Sequence, residues 1–79
     1  SAASDVYKRQ TEELELLIKK SISNLPEDLR MAITLREYDA LSYEEIASIM
    51  KCPVGTIRSR IFRAREIIDQ IIDKNLSNE

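Results

Sequence analysis

Glycine and proline are scarce in this chain, which has one glycine and two prolines among its 79 residues. These two residue types mark most tight turns, and the sequence also has no run of alternating β-branched residues that would indicate strands. A fold rich in strands and turns is therefore disfavoured. We expect α-helices joined by short turns, in a single small domain.

Histidine is absent, and Cys52 is the single cysteine. The absence of histidine removes the usual general base and the commonest metal ligand. One cysteine can form neither an internal disulfide nor a zinc-binding pattern. The sequence therefore indicates no enzyme, no cofactor and no metal site, and we expect Cys52 to be a small buried residue beneath a turn.

Long apolar runs are also missing, so we expect no insertion into a membrane. With 43% hydrophobic and 33% charged residues, the composition is that of an ordinary globular chain and is too apolar for disorder. The lone cysteine favours a reducing compartment, and we expect a cytoplasmic location.

The spacing of the apolar residues predicts four helices. Residues 1–10 show no such periodicity and are interpreted as a linker, a tag or a fragment edge. The predicted domain spans residues 11–75, and a frayed tail is expected at 76–79. Its first helix is expected to begin with Thr11 as the N-cap and to bury one apolar face.

The second predicted helix begins at Pro26 and is apolar nearly all round, which indicates a central position or a surface covered by another protein. A capping box formed by Ser42 and Glu45 introduces a short third helix. Pro53 opens the fourth helix, which is expected to reach about residue 72. The inward stripe of that helix is predicted to contain Ile57, Ile61, Ala64, Ile68 and Ile71.

The charge of the chain is strongly partitioned. Residues 51–65 hold five of the twelve basic residues and no acid, which gives them a net charge of +5 in a chain of net charge −2. Residues 12–50 carry −5 and residues 66–79 carry −3. A basic block of this kind is expected of a helix that lies against nucleic-acid phosphates.

A short capped helix, a turn and a longer basic helix predict a helix-turn-helix, whose second helix enters the major groove of DNA. The predicted fold class is all-α: a four-helix domain of the winged-helix-like DNA-binding class, without a wing. On the fourth helix, the side opposite the inward stripe carries four residues at i, i+1, i+4 and i+5. These candidate base contacts are Arg58, Ser59, Phe62 and Arg63.

The chemistry of these four side chains suits the recognition of bases. Arginine can bridge guanine O6 and N7, serine can bond to several base edges, and Phe62 can contact a thymine methyl group. An aromatic side chain held outward between arginines is unusual on a merely solvated face. The alternative is that Phe62 packs as a satellite of the core.

Further candidates lie around the turn. Val54 and Thr56 belong to the first turn of the fourth helix, where free amides and the helix dipole favour a phosphate, and Thr56 is the candidate ligand. Arg36 is expected to reach a backbone phosphate or, alternatively, to pair with a glutamate of the third helix. Tyr43 and Glu44 begin the third helix, close to the expected path of a DNA strand.

The sequence leaves the roles of several neighbouring residues open. Gly55 either permits close approach to DNA or relaxes the turn. Arg60 and Arg65 flank the candidate base contacts and either bind phosphates or make ion pairs within the protein. Lys51 stands where such turns often carry glycine, so the conformation of the turn is not predicted.

Three segments of the chain resemble region 4 of bacterial sigma factors, most strongly the sigma-E-like members of the extracytoplasmic-function group. The segments are Leu-Pro-Glu-Asp-Leu-Arg at 25–30, Leu-Ser-Tyr-Glu-Glu-Ile-Ala at 41–47, and the run from 53 to 65. The resemblance covers residues 12–72, and the common order of its motifs argues against chance. It implies that the four candidate base contacts face the bases or their strand. The positions it implies near the DNA backbone are Arg36, Tyr43, Glu44 and Thr56.

The resemblance also implies partners. It implies a domain that recognises the −35 promoter element in complex with core RNA polymerase, docks on the flap of the polymerase β subunit and is covered by an anti-sigma factor. We expect the domain to be a monomer. The sequence does not contain region 2, which in this family binds the −10 element, so we expect the chain to be a domain or a fragment that cannot initiate transcription alone.

Two alternatives remain open from the sequence. The same four-helix plan occurs in the output domains of two-component and quorum-type transcriptional regulators, which usually dimerise through their last helix. The other alternative is a protein-interaction module, bound by an anti-sigma factor, whose basic block is only a solvated face.

Overall fold

A computed structural model describes the backbone of residues 2–77 and the side chains of residues 8–76. It contains four α-helices: α1 (Ala2–Ser23), α2 (Glu27–Glu37), α3 (Tyr43–Met50) and α4 (Val54–Ser77). Over the described backbone there is no strand. The all-α prediction, with four helices and a helix-turn-helix formed by α3 and α4, is confirmed.

Helix α1 begins at Ala2, so the expectation that it begins at Thr11 is wrong. A periodic apolar face indicates packing against a core, and strong helix formers can extend a helix without one. Such residues here are Lys8, Arg9, Gln10, Glu12 and Glu13. The origin of residues 1–10 as a linker, tag or fragment edge stays a prediction. So does the frayed tail at 76–79, and its last two residues lie outside the described range.

Both prolines stand one residue before a helix rather than at its first position. The Pro26 carbonyl accepts a hydrogen bond from the Arg30 amide at 2.9 Å, and the Pro53 carbonyl accepts from Ile57 at 3.3 Å. Proline suits this place because its fixed φ is compatible with the extended residue that precedes a helix. Each proline therefore sets the point at which its helix begins.

The predicted capping box is present at the start of α3. The Ser42 Oγ accepts from the Glu45 amide at 3.1 Å, and the Glu45 Oε1 accepts from the Ser42 amide at 3.0 Å. Hydrogen bonds from Ser42 favour the ionised carboxylate of Glu45, so the pKa of Glu45 is lowered, first by the backbone amide of Ser42 and then by its side chain. The cap fixes where α3 begins and how the chain enters it.

The core lies where α4 packs against the other three helices, most extensively against α2. The predicted inward stripe of α4 is confirmed for its first four members, whereas Ile71 is only partly buried and Ile72 packs against the core. Helix α2 is less enclosed than its composition indicates, because Met31 is exposed, as is Tyr38 at the C-cap of the helix. The buried apolar residues are Ile22, Leu25, Leu29, Ala32, Ile33, Ile46, Ile57, Ile61, Ala64 and Ile68.

The turn between α3 and α4 depends on one residue with a left-handed backbone. Lys51 is the C-cap residue directly after α3, with φ 55° and ψ 52°, and its amide donates to the Ala47 carbonyl. Glycine normally occupies this conformation because a Cβ atom is strained there. The fold therefore adopts the usual turn geometry in spite of the lysine.

Replacing Lys51 with glycine should stabilise the domain. The left-handed conformation costs a residue with a Cβ atom about 1–2 kcal/mol, and glycine loses about 0.5–1 kcal/mol more entropy on folding. We expect a net gain of about 0.5–1 kcal/mol in the free energy of unfolding, measured by urea denaturation. Lys51→Ala is the matched control, since it removes the charge and keeps the strain. An equal gain from both variants would contradict this account.

Candidate nucleic-acid interface

The outer face of α4 carries the four candidate base contacts. Arg58, Ser59, Phe62 and Arg63 are all exposed, while Ile57 and Ile61 on the opposite side are buried. The side chain of Phe62 is 70% exposed, so it is not a satellite of the core. The helix therefore presents two arginines, a hydroxyl and an aromatic ring to solvent on one face.

The fold brings three of the predicted residues together around the ring of Tyr43. The guanidinium carbon of Arg36, from α2, lies over this ring at 4.8 Å from its centroid. The guanidinium carbon of Arg58, from α4, lies over the same ring at 5.9 Å. Both distances are within the range of cation–π attraction. We call Arg36, Tyr43 and Arg58 the tyrosine–arginine cluster.

Arg36 is also tied to the backbone of the loop before α3. Its Nη1 donates to the Leu41 carbonyl at 2.8 Å, and the residue is half-buried. A salt bridge to a glutamate of α3 was the alternative for Arg36, but Glu45 is engaged in the capping box with Ser42. Glu44 is exposed in the first turn of α3.

The first turn of α4 has the features of an anion site. The amides of Thr56 and Ile57 donate to the Pro53 carbonyl at 3.0 and 3.3 Å. The amides of Val54 and Gly55 precede these bonds and, as in any helix, have no partner within the helix itself. The side chains of Val54 and Thr56 are half-buried beside them. These amides and the positive end of the helix dipole favour a negatively charged group.

The fold neutralises much of the basic block. The Arg60 Nε lies 3.7 Å from the Asp28 Oδ2 at the start of α2. Of the two roles left open for Arg60, the structure therefore shows the ion pair within the protein. The Arg65 Nη2 lies 2.6 Å from the Glu37 Oε1 at the end of α2. The pKa of Arg65 is raised, chiefly by this hydrogen bond to Glu37. Both flanking arginines therefore connect α4 to α2 through ion pairs.

Arg63 has a local partner. Its Nη1 lies 2.6 Å from the Glu66 Oε1, one turn further along α4, and both side chains are well exposed. Among the described side chains of the basic block, the arginines at 60, 63 and 65 thus have carboxylate partners, whereas Lys51 and Arg58 have none. The positive charge still open to a ligand is concentrated on Lys51 and Arg58.

Cys52 is half-buried rather than buried, so its predicted burial is only partly realised. Its Sγ accepts a long hydrogen bond from the Arg60 Nη1 at 3.7 Å. In the part of the chain that the structure describes, no group of three or more histidine, cysteine or acidic side chains is placed to bind a metal ion. None of the described helices is long and apolar enough to span a membrane.

Sequence patterns identify the exposed face of α4 but not the contacts that hold its neighbours. Asp28 and Glu37 are far from their arginine partners in sequence, and no periodicity connects them. The pairing of Arg63 with Glu66 follows from helical spacing and could have been found from the i, i+3 rule. The shared ring of Tyr43 had no signal in the sequence.

Comparison with known proteins gives a consistent result. Residues 15–68 match the family described as Sigma-70, region 4. The ECF RNA polymerase sigma-E factors of Salmonella typhimurium (strain LT2) and Escherichia coli (strain K12) are each 73% identical to the chain over 59 residues. The RNA polymerase sigma-H factor of Pseudomonas aeruginosa is 61% identical over 61 residues.

These matches cover most of the chain and a minor part of each relative. They include 75% of this chain for the sigma-E factors and 77% for the sigma-H factor. They cover 31% and 32%, respectively, of the relatives themselves. The chain thus corresponds to about a third of the length of the relatives it matches.

Replacing Gly55 with alanine should stabilise the free domain. A Cβ atom built on Gly55 meets nothing within 4 Å, and its φ is not positive. Glycine to alanine at such a site gains about 0.4–1 kcal/mol by restricting the unfolded chain. We expect a gain of this size in the free energy of unfolding, measured by urea denaturation. A loss of stability would mean that the backbone at Gly55 needs conformations that alanine cannot adopt.

Proposed function

The chain belongs to the sigma-70 region 4 family, and from this membership and the exposed face of α4 we propose that it is the DNA-binding domain of a sigma factor. In this proposal it recognises the −35 promoter element and directs RNA polymerase to initiate transcription as part of a longer sigma factor. The sigma-70 region 4 family is not a class of enzymes. The single observation that carries the proposal is the set of exposed, chemically varied side chains on the second helix of a helix-turn-helix.

The exposed face of α4 offers the groups that distinguish base pairs in the major groove. Arg58 and Arg63 can each bridge O6 and N7 of a guanine, and Ser59 can bond to several base edges. Phe62 can pack against a thymine methyl group, which explains an aromatic side chain that is 70% exposed. Selectivity for a promoter sequence would come from these four residues.

A second group of residues would set the position of the domain on the DNA backbone. Thr56 and the free amides at the start of α4 suit a phosphate. Arg36 and Tyr43 lie at the neighbouring edge, where α2 and α3 meet. Glu44 is an acid and would be repelled by phosphates, so an accepting contact to a cytosine amino group suits it better.

The exposed surface of α2 supports a second partner, the flap of the polymerase β subunit. A shallow cavity of about 260 Å³ lies along this helix and is lined by Glu27, Arg30, Met31, Thr34 and Leu35. Met31 is 47% exposed, and methionine adapts readily to an apolar partner. An anti-sigma factor would hold the domain inactive by covering surfaces of this kind. We propose that the domain works as a monomer, in the cytoplasm, on one half-site.

The charge balance of the fold supports a domain that depends on polymerase for its affinity. Arg60, Arg63 and Arg65 are already paired with carboxylates, so few positive charges are open to phosphates. Binding of the isolated domain to DNA would therefore be weak. Attachment to polymerase would supply a high effective concentration at the promoter instead.

Replacing Arg58 with alanine should weaken DNA binding and relax selectivity at one base pair. Loss of a two-point contact to guanine costs about 1–3 kcal/mol, and fluorescence anisotropy with a −35 duplex at low salt measures it. Arg60→Ala is the matched control, because Arg60 lies on the same helix and pairs with Asp28. We expect it to lower the stability of the fold and to leave base selectivity unchanged. Equal losses of selectivity from both variants would contradict the assignment of Arg58.

Binding to the duplex should also depend on salt. If about four phosphates are neutralised, the slope of log K against log salt concentration is about −3.6. The measurement is a titration of the duplex at several chloride concentrations. Affinity that is unchanged at half-molar salt would overturn the electrostatic part of the proposal.

A further inference from the structure

Tyr43 stands where α2, α3 and α4 meet, and two arginine side chains from different helices lie over its ring. We propose that Tyr43 is a positioning residue: its ring fixes the guanidinium of Arg58 before DNA arrives, so that selectivity at the base pair contacted by Arg58 depends on Tyr43. The inference rests on the proposed function, since it concerns how the domain recognises bases. It assigns to Tyr43 a role within the protein, in addition to any contact with DNA.

The ring of Tyr43 is itself held firmly. Tyr43 is the first residue of α3 and directly follows the capping box formed by Ser42 and Glu45. Its side chain is half-buried and packs against the core. Arg36, which lies over the ring at 4.8 Å, is anchored by its bond to the Leu41 carbonyl. A ring that packs against the core and lies under an anchored arginine can order a flexible side chain placed over it.

Arg58 needs such support because, among the described residues, no ion pair holds its guanidinium. Its side chain is exposed, and among the described side chains it has no carboxylate partner, unlike Arg60 and Arg65. A free arginine samples many rotamers, and ordering it on binding reduces affinity. The contact of its guanidinium with the Tyr43 ring, 5.9 Å from carbon to centroid, restricts that motion in the free protein.

The type of contact matters as much as its presence. A guanidinium carries its N–H donors in its plane and stacks on an aromatic ring through its face. A guanidinium held over the Tyr43 ring gives up no N–H donor to a carboxylate, so the donors of Arg58 stay free for O6 and N7 of a guanine. A carboxylate would occupy those donors, as Glu66 does for Arg63 at 2.6 Å. Arg58 is thus oriented and still available, whereas Arg63 must exchange its partner when it binds DNA.

The experiment compares Tyr43→Phe, which keeps the ring, with Tyr43→Leu, which removes it. In the free chain, nuclear magnetic resonance should show ring-current shifts of the Arg58 side-chain protons in the wild type and in Tyr43→Phe. These shifts should disappear in Tyr43→Leu. Random-coil values for Arg58 in the wild type would overturn the inference, and this arm needs no variant to fold.

The second arm measures selectivity with a library of duplexes randomised over the base pairs of the −35 element. The base pair concerned is the one at which Arg58→Ala relaxes the preference. There we expect Tyr43→Leu to lower discrimination by about 2- to 12-fold, which corresponds to the ordering of one long side chain. Tyr43→Phe should retain it. In the Arg58→Ala background, Tyr43→Leu should bring no further loss of discrimination at that base pair.

Other outcomes would overturn the inference. If Tyr43 acts only by a phosphate contact through its hydroxyl, Tyr43→Phe and Tyr43→Leu should weaken all duplexes to the same extent and leave discrimination at that base pair intact. If Tyr43 is only structural, Tyr43→Leu should lower the melting temperature and leave discrimination intact. If the wild type itself prefers no duplex, the proposed function is wrong and the inference falls with it. If the wild type discriminates and Tyr43→Leu discriminates equally well, the inference alone is wrong.

Discussion

The packing of one stripe of α4 against the rest of the protein is the constraint on which the other features depend. Ile57, Ile61, Ala64 and Ile68 are buried among residues of α1, α2 and α3, and this burial fixes the rotation of α4 about its own axis. Once that rotation is set, helical geometry places Arg58 and its three neighbours outward without any further interaction. The small side chain of Ala64 is fully buried, which is consistent with a close approach of another helix. Recognition by the outer face of α4 is therefore a consequence of hydrophobic packing on its inner face.

The same packing brings carboxylates of α2 next to the basic block, so less positive charge is available to a ligand than the sequence indicates. In the sequence, residues 51–65 form a block of net charge +5 without an acid. In the folded protein, Asp28 and Glu37 of α2 form ion pairs with the arginines at 60 and 65. Part of the positive charge of the block is therefore neutralised by contacts between α4 and α2. Surface ion pairs of this kind contribute about 0–1 kcal/mol each, so they adjust the fold more than they determine it. Their larger effect is to concentrate the available positive charge near the turn and the tyrosine–arginine cluster.

Patterns among neighbouring residues predict the four helices correctly, but they predict the start of α3 better than the start of α1 or the turn after α3. The capping box at Ser42 and Glu45 was predicted correctly because both bonds lie within four residues of each other. Apolar periodicity predicts a beginning of α1 at Thr11, which is too late, because this periodicity identifies the part of a helix that packs and not the part that extends beyond the core. The turn at Lys51 could not be predicted, since a lysine gives no sign that its backbone will be left-handed. There the surrounding helices impose a conformation that the residue itself disfavours.

Helical spacing and caps are properties of neighbouring residues, so the amino-acid pattern alone predicts the all-α class, the helix-turn-helix and the outward face of α4. The residues on that face are Arg58, Ser59, Phe62 and Arg63. The folded protein shows which arginines pair with carboxylates of α2 and which stay available to a ligand, and it places the ring of Tyr43 next to arginines of α2 and α4. Those contacts join residues from 7 to 32 positions apart in the chain. They depend on how the helices cross, and the crossing is set by the shape of the shared apolar core, which no local pattern records.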